Sequence, residues 1–369
     1  MSVPVRPVRI VFCWAEVSGY MAACWRALSG QPGVDLHVIH TERLFNRPNP
    51  FDVEPLLQGL SHEMFAISRP DVDRYLLEAV VRQRPDVVVL CGWIYWPYTR
   101  LVHAPALAGA GMLLGMDSPW RATLAQRLAR LRLAQFVGGL DLVITAGERS
   151  TEYARRIGVP EGRLRTGYYG FEYDRFATAI ERRPAQWPRQ FLFAGRYVPA
   201  KDLETLIRAY SAYRRRVSNP WSLTCAGQGP DGRLLQGVEG VTDIGFAQPA
   251  HLPELFAGHG AFMLPSRFEP WGVVLGEAAA AGLPVVCSSA CGAALDLVRP
   301  YYNGIVVPPG DVDDLSRAMH WIHDHESELR IMGQRGQALA AAFSAQAWAV
   351  RWHNYVLETV DRAAVGGQS

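Results

Sequence analysis

Two series of short apolar runs, each followed by a stretch with helical spacing, constrain the fold of this chain more than any other feature. In the first series the runs are Val8 to Trp14, Val34 to His40, Met64 to Ile67, Asp86 to Cys91, Met112 to Met116 and Leu142 to Thr145. In the second they are Gln190 to Ala194, Ser222 to Cys225, Thr242 to Ile244, Ala261 to Leu264, Pro284 to Cys287 and Gly304 to Val307. Strands alternating with helices make a parallel sheet covered on both faces, and that cover is what lets the strands be apolar throughout. Asp71 to Gln83 and Thr123 to Phe136 are the clearest of the helical stretches, with Asp71 and Asp73 at cap and first-turn positions of the former. Around Thr178 to Arg189 the chain turns charged and irregular, with Pro184 and Pro188, and the linker is expected there. The chain of 369 residues has room for two cores. The expected fold class is therefore α/β, with two doubly wound, Rossmann-like parallel-sheet domains, 1–182 and 183–344, facing a cleft.

Composition narrows the class of function. Half of the residues are hydrophobic (49%) and a fifth charged (20%), as in a soluble globular protein. A formal net charge of +2 gives no reason to expect nucleic acid as a partner. Cys13, Cys24, Cys91, Cys225, Cys287 and Cys291 fall mostly inside apolar runs without a C-x-x-C pair, and read as reduced thiols of a cytoplasmic protein. The opening MSVPVRPVRIVFCW has an apolar run too short for a signal peptide. No segment reaches the ~20 apolar residues of a membrane-spanning helix, so the membrane contact left open is a peripheral one.

The chemistry concentrates between Pro265 and Gly310, which reads PSRFEPWGVVLGEAAAAGLPVVCSSACGAALDLVRPYYNGIVVPPG. Between two apolar runs lies a short helical stretch, with Pro270 suited to its first position and Gly282 and Pro284 as stop signals. Val273, Val274, Leu275 and Ala278 to Ala281 make it apolar all round, as in a helix covered by the rest of the protein. Glu277 sits in its middle, where a carboxylate is costly unless a structural partner or a ligand satisfies it. Glu269 falls just before the helix start, whose free N–H groups attract anions.

This stretch resembles the retaining GT-B glycosyltransferases of family 4, whose signature is two glutamates at this spacing; the flanking S-R-F-E-P-W-G, A-G-L-P-V-V and N-G-I-V-V-P-P-G-D agree in order. The resemblance is close in the C-terminal half and loose in the N-terminal half. It implies that Glu277 binds the ribose hydroxyls of a sugar nucleotide, while Glu269 and the backbone of Pro270, Trp271 and Gly272 meet the donor sugar. It also implies that 183–344 binds the donor, that 1–182 binds the acceptor, and that the last helical stretch, Ala345 to Ala363, packs back on the first domain.

Ligands of doubly wound sheets bind beyond the carboxyl ends of the strands. Gly195 and Arg196 follow one run and Lys201 comes soon after, a spacing that lets both cations reach one phosphate group. In the family the matching residues hold the donor diphosphate. Gly227 lies in the turn Ala226-Gly227-Gln228-Gly229-Pro230, where glycine permits close approach to a ligand or simply makes a turn. Phe246 falls where the family's backbone meets the base, and Asn303-Gly304 is open to a plain turn.

In the first half, relatives show paired glycines in the first loop; here Gly19 stands alone behind Ser18. A histidine that many relatives place after the fourth strand is missing. Asp117 is the nearest polar candidate for orienting an acceptor hydroxyl, and it equally suits a helix cap with Pro119 opening the helix. Trp93, Tyr95, Trp96, Tyr98 and Trp120, with Arg121 beside them, offer aromatic faces to an acceptor or pack between helices. Leu124, Leu128 and Leu131 form one stripe among Arg127, Arg130 and Arg132; a helix packed on its own sheet is expected, and a membrane-surface helix is the alternative.

The implied reaction moves a sugar from a nucleoside diphosphate, UDP or GDP first among them, to a saccharide, lipid-linked or small-molecule hydroxyl with retention. Glu269, Arg196, Lys201 and Asp117 form the implied catalytic set. No cofactor or metal is needed, since the acidic strings at Asp71 and Asp311 read as helix caps. A non-catalytic sugar-nucleotide binder, and a glycoside hydrolase, phosphorylase or epimerase, are the alternatives.

Overall fold

The computed structural model describes residues 6–41 and 53–366; Met1 to Val5, part of the stretch read for a signal peptide, lie outside the described residues. The chain divides into two compact units, 1–170 with 345–369, and 171–344. The first unit holds, among the described residues, seven strands: β1 Val8–Trp14, β2 Val34–Thr41, β3 Ser61–Phe65, β4 Val87–Leu90, β5 Gly111–Met116, β6 Leu142–Thr145 and β7 Leu164–Thr166. Their order is β3-β2-β1-β4-β5-β6-β7 and every pair is parallel. β1, β4, β5 and β6 are buried almost without a break, which is why they were readable as apolar runs.

The two outermost strands depart from the sequence reading. The run expected at Met64 to Ile67 is β3, starting earlier at Ser61, and its Ser-His-Glu-Met residues are partly or fully exposed. β7 was not anticipated; Leu-Arg-Thr on a half-covered edge carries no apolar signal.

The helix Ala345–Gly366 belongs to the first unit and packs on the helix Gly19–Ser29. Trp348 and Trp352 stack with centroids 4.8 Å apart, Phe12 lies against both, and their indole N–H groups donate to Tyr168 O (2.8 Å) and Gly167 O (3.1 Å). Each indole thereby buries its ring without leaving its N–H unpaired.

The second unit contains β8 Gln190–Ala194, β9 Ser222–Ala226, β10 Val241–Asp243, β11 Ala261–Leu264, β12 Val285–Ser288 and β13 Gly304–Val307, in the order β10-β9-β8-β11-β12-β13, again parallel. Strand order reverses between β8 and β11, as between β1 and β4 in the first unit, and such reversals open a crevice at the carboxyl ends. The unit begins at Phe171, ahead of the expected 182/183 boundary. Residues read as a linker are packed: the buried Arg183 donates to Gly282 O (2.8 Å), Ala281 O (2.9 Å) and Phe256 O (3.2 Å), and Trp187 donates to Gly260 O (3.1 Å). Charge and proline content hid this, because the arginine is buried by capping carbonyls rather than by an acid.

Cys91 is partly buried and the other five cysteines are buried. Among the described residues no helix is long and apolar enough to cross a membrane.

Candidate functional site

The loops after β8, β9, β11 and β12 lie on neighbouring strands of the second unit. Gly195 N donates to Ala226 O (2.9 Å) and Tyr197 N to Gln228 O (2.9 Å), which laces the first two loops together, and Gly227 N donates to Gly245 O (2.8 Å) after β10. A side chain on Gly227 would collide with the Gly195 carbonyl, so glycine here serves close backbone approach. Phe246 follows this lacing, partly buried.

Lys201 ends a single helical turn, Pro199–Lys201, and its position is fixed from two sides. Asp202, in the left-handed region at φ 57°, accepts from Thr205 N (3.4 Å) and pairs with Arg267 Nε (2.9 Å). Ala200 O accepts from Arg267 N (2.9 Å) and Phe268 N (3.2 Å). This clamps the loop after β11 against the turn and brings the Lys201 ammonium onto Glu269 Oε2 in an ion pair whose two side chains are each 13% exposed. The sequence reading named Lys201 and Glu269 separately and missed the positioning roles of Asp202 and Arg267. Lys201 has two further N–H donors, and Glu269 Oε1 has no partner among the described residues. Arg196, exposed on the preceding loop, likewise has no side-chain partner among the described residues.

The helix begins at Val273, not at Pro270. Gly272 adopts φ 97° and takes the N-cap, which a proline-first reading misses because the turn is made by a left-handed residue. Gly292 N donates to Glu269 O (3.1 Å) and Ala293 N to Trp271 O (2.8 Å), so the stretch from Glu269 to Gly272 is held by its backbone against the segment after β12. Trp271 is 1% exposed, its indole donating to Asp296 Oδ2 (2.8 Å) and its ring 5.1 Å from that of Phe343. Its side chain is core, and only its backbone faces the loop.

Glu277 is partly buried midway along the helix Val273–Ala280, and its carboxylate has no hydrogen-bond partner among the described residues. Burial, reinforced by Glu172 and opposed by Arg175, pushes its carboxyl up to about 7. The structural partner that the sequence left open is thus not supplied by these residues. Asn303, by contrast, is a structural residue: it is buried, accepts from Arg299 N (2.7 Å) and donates to Leu297 O (3.1 Å).

In the first unit Gly19 opens the helix Gly19–Ser29, and Ser18 at the N-cap makes no side-chain capping bond. Asp117 follows β5 and accepts from the Tyr169 hydroxyl (2.8 Å). It caps no helix: the next one is Leu124–Gly138, capped by Thr123, which accepts from Gln126 N (3.3 Å). Trp93 and Trp120 both pack on Tyr153, at 5.8 and 5.7 Å, and Arg156 stacks on Trp120 at 4.5 Å. Tyr98 is buried in the core and donates to Trp14 O (2.5 Å). Trp96 and Arg121 are exposed. The leucine stripe is also exposed, contrary to the expected packing; Ala129, Leu133, Phe136 and Val137 form the buried face instead. Asp311 caps its helix by accepting from Asp314 N (2.8 Å), whereas Asp71 occupies an N-cap without a capping bond and pairs with Arg69 and Arg74. Among the described residues no group of three or more His, Cys, Asp or Glu is placed to hold a metal ion.

Residues 178–339 match the family described as glycosyl transferases group 1. The O-antigen chain mannosyltransferase B of Escherichia coli is 28% identical over 62% of this chain and 62% of its own length. The D-rhamnosyltransferase WbpZ of Pseudomonas aeruginosa is 24% identical over 66% of each. An exopolysaccharide phosphotransferase of Streptomyces coelicolor is 30% identical over 45% of this chain but only 18% of its own length. The chain thus spans less than two thirds of each of these curated relatives. In fold it is similar to the Anabaena protein HepE crystallised with UDP (TM-score 0.74, 19% identity, 95% of this chain and 100% of that one) and to a glycosyltransferase from Rickettsia africae (TM-score 0.76, 13% identity, 96% and 99%).

Proposed function

We propose that this chain, whose residues 178–339 match the glycosyl transferases group 1, moves a glycosyl group from a nucleoside-diphosphate sugar to an acceptor hydroxyl with retention at the anomeric carbon. The observation that carries the reading is Glu277. A carboxylate left partly buried without a partner destabilises the free protein, and is accounted for if a ligand's hydroxyls complete it. Ribose offers two adjacent hydroxyls to one carboxylate.

The diphosphate is assigned to Arg196 and to the two ammonium protons of Lys201 not directed at Glu269. Glu269 accepts from the donor sugar through its second oxygen. Its pairing with Lys201 favours this positioning role over that of a nucleophile. The acceptor oxygen then attacks the anomeric carbon as the bond to the diphosphate breaks, and the acceptor proton passes to the departing phosphate oxygen. Asp117, held by Tyr169, is assigned to the acceptor hydroxyl. A saccharide, a lipid-linked glycan or a small natural product fits this chemistry, and no step calls for a cofactor or metal.

UDP, present in the Anabaena protein of this fold, is the first nucleotide to try and GDP the second. The test is incubation of the protein with UDP- and GDP-sugars and an acceptor panel in chelator-treated buffer, followed by NMR assignment of the product's anomeric configuration. Retention supports the reading. Inversion, or absence of both turnover and nucleotide binding across the panel, refutes it.

A further inference from the structure

The helix Leu124–Gly138 carries two apolar faces, and only one is covered. Ala129, Leu133, Phe136 and Val137 anchor it to the core of the first unit. Leu124, Leu128 and Leu131 recur at helical spacing; at about 100° per residue they fall within about 60° of one another on the opposite side. They are 73%, 56% and 81% exposed. Between Asp117 and Asp141 the chain has Arg121, Arg127, Arg130 and Arg132 and no acidic residue. By the same helical geometry Arg127 and Arg132 flank the leucine stripe, one on each side. Arg127, Arg130 and Arg132 are exposed and form no ion pair among the described residues. After β4, Ile94 is 73% exposed, and Trp96, which opens the helix Trp96–Arg100, is 49% exposed. The loop after β4 and the one after β5 meet at Tyr153, on which Trp93 and Trp120 both pack.

We propose that this face is a docking surface for an anionic lipid bilayer. The helix lies along the surface, its leucines reaching the headgroup–acyl boundary while the flanking arginines lay their stems on the apolar layer and their guanidinium groups on lipid phosphates. Charge decides the occupant. A second copy seated on the leucines brings one set of arginines against another, which like-charge repulsion opposes. A bilayer rich in anionic headgroups satisfies both the apolar stripe and its cationic rims. The inference does not depend on the donor chemistry of the second unit.

The experiment is flotation of the full chain with vesicles of phosphatidylglycerol mixed into phosphatidylcholine, and with phosphatidylcholine alone. The wild type is expected to float with the anionic vesicles only, and less as salt is raised. Arg127→Gln with Arg132→Gln should weaken partition by roughly five-fold for each arginine removed. Leu128→Ser with Leu131→Ser should weaken it by about ten-fold or more. Both variants should keep the wild-type circular dichroism spectrum and its transfer to a soluble acceptor, because these side chains are exposed and outside the proposed site. The proposal is overturned if the wild type fails to float with anionic vesicles, or if both variants float as it does. It is equally overturned if the wild type is a dimer in solution that Leu131→Ser separates, since a second copy then covers the leucines.

Discussion

Replacing Glu277 with Gln separates what the carboxylate does for a ligand from what it costs the free protein. Its carboxyl is raised from the usual 4.5 to about 7, chiefly by burial. Above both values the group is charged whether the protein is folded or not, and the folded state bears the full desolvation cost. Below both it is neutral in each state and the cost vanishes. The wild type therefore loses stability as pH climbs from 4.5 through about 7. At about 1.4 kcal/mol for each pH unit between the two values the loss approaches about 3.5 kcal/mol, and the water access left at the helix face reduces it to about 1–3 kcal/mol. Glutamine keeps the shape and loses the titration. In urea denaturation the variant should exceed the wild type by that amount near about pH 8 and match it near about pH 4, below both values. In thermal scans UDP or GDP should raise the wild-type midpoint and raise the variant's much less, because a hydrogen bond to a charged acceptor contributes about 1.5–3 kcal/mol. Equal stability of the two proteins near pH 8 refutes the account of strain. An equal nucleotide shift in both refutes the ribose assignment.

Arg196→Ala should lower turnover by about 10²–10³-fold with an unchanged melting temperature, since the side chain is exposed and the proposed contact is to the leaving diphosphate. Lys201→Ala should lose as much turnover and also some stability, because it strands the mostly buried Glu269; scanning calorimetry beside the activity assay separates the two effects. Gly227→Ala forces its new methyl into the Gly195 carbonyl, so the loops after β8 and β9 must part; a loss of about 1–3 kcal/mol in urea and weaker nucleotide binding are expected. Asp202→Ala removes a helix cap, a partner of Arg267 and a residue type that tolerates φ 57°, for a combined loss of about 1–3 kcal/mol, with a fall in turnover as Lys201 loosens.

The strand series was legible because central strands of these sheets are buried on both faces, and burial on both faces writes unbroken apolar runs such as Val87–Leu90 and Ala261–Leu264. Edge strands were legible only in part: Ser61–Phe65 and Leu164–Thr166 keep one side half open and read as mixed sequence. Glu277 stood out because every neighbour on its helix is apolar. The charges that act on it could not be read, since Glu172 and Arg175 lie far away in sequence. The leucine stripe of Leu124–Gly138 was misassigned for a different reason. Periodicity reveals that a helix has an apolar face but not which of two such faces meets the core, and here the smaller Ala129 sits on the covered side while three leucines do not.

The contact between Lys201 and Glu269 shows why a motif alone does not define this site. The two residues lie on loops that follow β8 and β11, strands made neighbours only by the reversal of strand order. Neighbouring strands bring the loops near, but a lysine side chain could still sample many positions around a carboxylate. What removes that freedom is backbone. Ala200 O accepts two N–H groups from the opposite loop, and Asp202 turns the chain left-handed immediately after the lysine while gripping Arg267 of that same loop. The glutamate is fixed from its own side by Gly292 N. A cation and a carboxylate presented by two clamped loops need little reorganisation when a diphosphate and a sugar arrive, and preorganisation of this kind is where electrostatic catalysis gains most. Asp202 and Arg267, which touch neither ligand in this account, are therefore as much a part of the proposed chemistry as the pair they hold.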